Sequence, residues 1–231
     1  MNDRKKNFIG FSTLTFTLLS VTLTVVLYGS INSATASDRN VLWDIISYCL
    51  DPSRPHYCED CKWPIAESAC SCLKTTEVWE KSLDYVAIRD QKMCGCPSDF
   101  VHGLALPLKK VTGVEDKDRP AGIWRFAWDV ARKRIKESEI ALVVNPLTCR
   151  SQDQLHVHIV KLNDEGRKFL ESDRAAGIEN LGQVWNKADD LARNAHLKNY
   201  GVLVKLNEKG FVVVVDDNCP EDTYTKYICD R

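Results

Sequence analysis

The sequence lacks net charge. Its 31 Lys and Arg stand against 32 Asp and Glu, a formal charge of -1 at pH 7. Without a basic excess there is no field to drive counterion release, which excludes a non-specific nucleic-acid binder. Glycine (11) and proline (8) are scarce among 231 residues, and no internal repeat or low-complexity linker interrupts the chain. Collagen-like and disordered chains are thereby excluded. What remains, 44% apolar and 27% charged, is the balance of a globular chain long enough to bury a sizeable core.

Charge is absent altogether from residues 7–37, directly after Arg4, Lys5 and Lys6. A basic cluster followed by an apolar stretch is a targeting order, since the basic end stays on the cytoplasmic side. The apolar heart, residues 8–31, exceeds the roughly 20 residues a helix needs to cross a bilayer, although many Ser and Thr weaken it. Ala34-Thr35-Ala36 is also an A-x-A cleavage site, followed by polar Ser37-Asp38. An anchor and a cleaved signal peptide both stay open, and both put the rest of the chain outside the cytoplasm. The organisation expected is a signal or transmembrane segment (1–37), a cysteine-rich segment (38–83) and a main domain (84–231).

Ten cysteines agree with export, because an oxidising compartment lets them pair. Seven crowd together: Cys49, Cys58, Cys61, Cys70, Cys72, Cys94 and Cys96. Their spacings would also suit a thiolate zinc site or a redox pair at Cys58 and Cys61, but structural disulfides are preferred. Partners for Cys149, Cys219 and Cys229 are not readable from sequence.

Hydrophobic periodicity predicts a helix over 41–50, strands over 85–88 and 103–106, and an amphipathic helix after Pro120. In that helix Ile123, Trp124, Ala127, Trp128, Ala131 and Ile135 share one face. A buried strand follows at 140–144, an alternating strand at 155–162, a helix at about 186–197, and a hairpin from 202–206 and 211–215. These pieces predict one α+β domain with an antiparallel sheet and packed helices.

In Gln154-Leu155-His156-Val157-His158-Ile159-Val160, residues two apart share a face. Gln154, His156 and His158 therefore point together while Leu155, Val157 and Ile159 face the core. Two adjacent imidazoles suit three readings: strand histidines without a role, a His-x-His metal site, or nucleophilic catalysis at phosphorus in which one ring attacks and its neighbour assists the departing oxygen. Glu165 is awkwardly placed as a third metal ligand. His102 reads as a packed strand residue, and His56 and His196 as surface residues.

Val143-Val144-Asn145, Gln152 and Gln154-Leu155-His156-Val157-His158-Ile159 together resemble the signature of the histidine triad superfamily of nucleotide hydrolases and transferases. His102-Gly103-Leu104-Ala105-Leu106-Pro107 is similar to its upstream strand. More closely, Tyr85-Val86-Ala87-Ile88-Arg89-Asp90, Trp124-Arg125-Phe126-Ala127-Trp128 and Tyr200-Gly201-Val202 resemble the bacterial CDP-diacylglycerol pyrophosphatase family. The similarity covers about 84–215. It implies a HIT-like fold and hydrolysis of CDP-diacylglycerol to CMP and phosphatidate through a covalent nucleotidyl-histidine, with no cofactor and no metal.

The residue roles carried by that resemblance are His156 as nucleophile and His158 as leaving-group partner. Gln154 stands where the family has a third histidine and would orient His156. Gln152 would hold phosphate oxygens, Asn145 the catalytic strand or a phosphate, and Asp90 the ribose hydroxyls. A second register, with His158 as nucleophile, would leave no donor for the leaving oxygen. The partners implied are a CDP-activated lipid and the membrane, with no nucleic acid; a homodimer is allowed. The location implied is the bacterial inner membrane, with a periplasmic catalytic domain, or the periplasm after signal cleavage. Gln154 and the insert at 58–72 depart from the family pattern. They keep open another nucleotide-pyrophosphate substrate, a metal-dependent hydrolase using His156 and His158, and a nucleotide or lipid binding module.

Overall fold

A computed structural model describes residues 39–48, 50, 77–168 and 173–229. The segment expected to be a signal or transmembrane anchor, Cys49 and the insert at 58–72 lie outside these residues. Among the described residues no helix is long and apolar enough to cross a membrane.

Eight strands form one sheet: β1 (Val78–Lys81), β2 (Tyr85–Arg89), β3 (His102–Pro107), β4 (Ile140–Val144), β5 (Val157–Lys161), β6 (Ala175–Ile178), β7 (Gly201–Asn207) and β8 (Gly210–Asp216). Their order is β1-β2-β3-β5-β4-β7-β8-β6, and every pairing is antiparallel. Helices α1 (Val41–Tyr48), α2 (Gly122–Ala131), α3 (Asp164–Lys168), α4 (Val184–Asn194) and α5 (Pro220–Tyr224) complete it. The expected α+β class with an antiparallel sheet is what forms. The sequence expectation missed β1 and β6, and both are edge strands. An edge strand pairs on one side and buries little, so β1 (Val-Trp-Glu-Lys) and β6 (Ala-Ala-Gly-Ile) carry no clear alternation. The expected domain boundary at 84 falls between the paired strands β1 and β2.

One face of the sheet is covered by α2 and α4. Leu142, Val144, Val157, Ile159, Val202, Val204, Val213 and Val215 meet Ile123, Trp124, Ala127 and Ala131 of α2 and Val184, Trp185 and Ala188 of α4. Trp124 and Trp185 pack edge to face, 4.8 Å between centroids, a geometry favoured by the ring quadrupoles. The opposite face has two smaller apolar clusters. Leu42, Ile45 and Ile46 of α1 cover Val86, Ile88, Leu104 and Leu106; Ala141, Val143, Val160, Leu203, Val212 and Val214 form the other. The two clusters meet where β3, in the first, pairs with β5, in the second, a pairing that sets Leu104 opposite His158 and His102 opposite Val160. Period two thus puts His102 and His158 on the same face.

The chain after β8 returns across this second face. Cys219, at the start of α5, is bonded to Cys149 in the loop after β4, and Cys96 in the loop after β2 is bonded to Cys229. Cys94 is disulfide-bonded too, so all five described cysteines are oxidised. Lys226 N donates to Lys161 O and Asn163 N to Tyr224 O, which lays the segment along the end of β5.

Candidate active site

Strand β5 and the loop before it bring the expected histidine pair together. The rings of His156 and His158 lie 4.7 Å apart by centroid, and both are buried. His156 Nδ1 is 2.7 Å from the Gln154 carbonyl. Since a carbonyl only accepts, Nδ1 carries the ring proton and Nε2 keeps its lone pair. Gln154 therefore orients His156 through its main chain. Its amide is used elsewhere, donating to Pro107 O (3.2 Å) and Lys109 O (2.9 Å) and accepting from Val111 N (3.3 Å).

His158 Nδ1 meets His102 Nε2 at 3.1 Å, while His102 Nδ1 is 3.2 Å from Tyr227 O. The Tyr227 carbonyl places a proton on His102 Nδ1 by the same logic. His158 Nε2 is buried with no hydrogen-bond partner among the described residues, so that nitrogen is open to a water or a bound molecule. Glu221 completes the cluster. Its Oε1 lies 3.2 Å from His102 Nε2 and 3.3 Å from His158 Nδ1 and accepts from Lys92 Nζ at 2.6 Å. Its Oε2 accepts from Asn145 Nδ2 at 2.6 Å.

Burial dominates the electrostatics. It lowers the pKa of His102 to about 4, lowers that of His156, and lowers that of His158 well below the usual imidazole range, assisted there by the neighbouring imidazoles. Burial also raises the pKa of Asp90, against the Lys92 backbone amide that its carboxylate accepts.

Of the residues singled out from sequence, His156, His158, Asp90 and Asn145 converge. Asp90 Oδ2 stands 3.6 Å from His102 Nε2, inside the histidine cluster, and Asn145 reaches it through Glu221. Gln152 turns to the start of α1, accepting from Leu42 N at 3.2 Å. Sequence reasoning missed His102, Lys92 and Glu221. His102 had a signal, its place in a strand with the same two-residue period, but the β3–β5 pairing that aligns it with His158 is not local. Glu221 had none.

Asp90, His102 and His158 offer ligand atoms that all lie within 4.8 Å of one another, a nitrogen and oxygen set of the kind that holds zinc. It differs from the His156–His158 pair expected from sequence. The Lys92 ammonium already supplies a cation beside it, on Glu221.

This is an α+β protein with three buried histidines gathered in one cluster. A sequence profile described as CDP-diacylglycerol pyrophosphatase matches residues 37–203, and the chain belongs to that family. Among curated proteins it is similar to CDP-diacylglycerol pyrophosphatase of Mycobacterium bovis and of Mycobacterium tuberculosis. Each is 26% identical over 120 residues, covering 47% of this chain and 46% of the relative. The match thus spans about half the length of those relatives.

Proposed function

We propose that the chain hydrolyses the pyrophosphate bond of CDP-diacylglycerol, releasing CMP and phosphatidate through a nucleotidyl group carried on His156, as in the histidine triad superfamily. The observation that carries this reading is the contact of His156 Nδ1 with the Gln154 carbonyl, which leaves the Nε2 lone pair for attack. His156 Nε2 bonds to the phosphorus bearing cytidine. The bond from that phosphorus to the bridging oxygen breaks, and its electron pair leaves with phosphatidate. His158, protonated at Nε2 once the anionic diphosphate lies against it, stands beside the departing oxygen and gives it a hydrogen bond or that proton. Water then attacks the same phosphorus, the phosphorus–nitrogen bond returns its pair to Nε2, and His158 takes the proton of the water. Each step exchanges similar bonds, so neither half-reaction is steeply uphill.

The same reading places the chain at a membrane outside the cytoplasm, where its lipid substrate lies; the disulfides support an oxidising compartment. The homodimer that the resemblance allows is tested by the mass of the detergent-solubilised chain. A second reading, a metal-activated water, has the Asp90, His102 and His158 donors in its favour.

The test uses the full chain in detergent with CDP-diacylglycerol, alongside other nucleotide diphosphate lipids and soluble dinucleotides. CMP release that persists in EDTA, with an acid-labile CMP adduct mapped to His156, is expected. His156→Ala abolishes turnover and adduct; His158→Ala keeps slow turnover, least impaired for good leaving groups. An adduct on His158 reverses the two roles. Activity lost in EDTA and restored by zinc establishes the metal reading, binding without turnover establishes a binding module, and preference for another substrate in the panel reassigns the specificity.

A further inference from the structure

We propose that Glu221 is a positioning residue for the histidine cluster, delivered by a C-terminal strap that two disulfides hold across the sheet. The proposal rests on the reading of His156 and His158 as the reacting pair and deepens it. The family match ends at residue 203, and Glu221 lies beyond it.

Three observations converge on this residue. First, Glu221 is buried, 3% exposed, and a buried carboxylate costs several kcal/mol of desolvation unless it is paired. An apolar side chain would fill the same space without that cost. Second, both oxygens are in use: Oε2 is fixed by Asn145, and Oε1 faces His102, His158 and Lys92 at 3.2, 3.3 and 2.6 Å. A single side chain thereby joins the loop after β2, strand β3, strand β5 and the end of β4. Third, the strap is anchored on both sides of it. Cys219–Cys149 ties the start of α5 to the loop that follows Asn145, and Cys229–Cys96 ties the tail to the loop that follows Lys92. Between those anchors Tyr227 supplies the carbonyl that holds His102.

A carboxylate beside His158 Nδ1 favours a proton on that ring, which His158 needs each time it takes one from water. Lys92 opposes it and limits the effect. The other groups facing the cluster are Asp90 from the end of β2, His102 from β3 and His156 from the loop before β5. Arg150 acts on His156 from the preceding loop, and Asp222 is the next residue of α5. Glu221 favours the charged form of His102 and His156, while Lys92 disfavours that of His102 and His158.

The two sides of the Glu221–Lys92 pair therefore give opposite shifts, which a merely structural role would not produce. Wild type, Glu221→Gln, Glu221→Asp and Lys92→Gln are compared as full chains. The pH dependence of kcat/KM is measured with CDP-diacylglycerol, and the imidazole resonances are titrated by NMR without substrate. Glu221→Gln should lower kcat about tenfold or more with KM little changed. It should also move the acid limb and the imidazole titrations down by about one pH unit. Lys92→Gln, at a half-exposed residue, should move both upward, and Glu221→Asp should recover part of kcat. Titrations unmoved in both variants overturn the proposal. So do equal losses in the Gln and Asp variants that track a loss of thermal stability. If Glu221→Gln fails to fold, the Lys92→Gln titration decides alone. A wild type inactive on CDP-diacylglycerol with the opposite shifts intact sinks the reaction and keeps the positioning role; activity without the shifts does the reverse.

Discussion

A histidine on a strand becomes useful when its tautomer is set, and here main-chain carbonyls do the setting. Gln154 O holds His156 Nδ1 and Tyr227 O holds His102 Nδ1, so the opposite nitrogens face inward with lone pairs. Burial then keeps the rings neutral, with His102 pushed down to about 4 from 6.5. The acid limb of kcat/KM should therefore lie below pH 6.5, where a free imidazole titrates; a limb at or above that value would show that the reacting ring is not desolvated. Stability responds in the same window. Below 6.5 the unfolded chain binds protons that the folded histidines refuse, so these rings withdraw stability as pH falls from about 6.5 toward 4. Asp90, with its carboxyl pKa raised, acts in the opposite sense as its folded state retains a proton. With three rings against one carboxyl, the urea midpoint should fall on acidification across that range.

Among the elements, the junction of β4, β7 and α5 is closely packed beside the site. A Cβ on Gly201 would lie 2.7 Å from both Pro220 Cγ and Val144 O and 2.8 Å from Pro146 Cδ, so only glycine lets β7 pass under the strap. Gly201→Ala should cost about 1–3 kcal/mol by overpacking, read as a lower urea midpoint. It should also slow turnover, because Pro220 would be pushed outward with Glu221 next to it. An unchanged midpoint would mean that α5 yields freely. Helix α1 is tied in differently. Arg39 pairs with Asp153 at 2.7 Å and Gln152 accepts from Leu42 N, so the loop entering β5 is braced by Arg39 and the first turn of α1.

For the molecule as a whole, the disulfides close separations of 70 and 133 residues. By the chain-entropy argument each contributes about 4–5 kcal/mol. Reduction should lower the denaturation midpoint and abolish turnover together, because the strap supplies both Glu221 and the Tyr227 carbonyl. Reduced protein that keeps its full rate would show that the strap stays in place without its staples.

Much of this was legible locally. The charge order at the start of the chain, the helical spacing of Ile123, Trp124, Ala127 and Trp128, and the alternation through β5 each follow from side-chain period. That period alone places His156 and His158 on one face. It could not bring His102, 56 residues earlier, against His158, nor carry Glu221 to Asn145 across a separation of 76. Period determines which face of its own strand a residue takes. Which distant strand lies alongside, and which segment closes over that face, is decided by the burial of the whole sheet and by disulfides between cysteines far apart in sequence. The paired histidines were therefore written in the sequence, whereas the third ring, His102, and the Glu221 carboxylate join them through the tertiary structure alone.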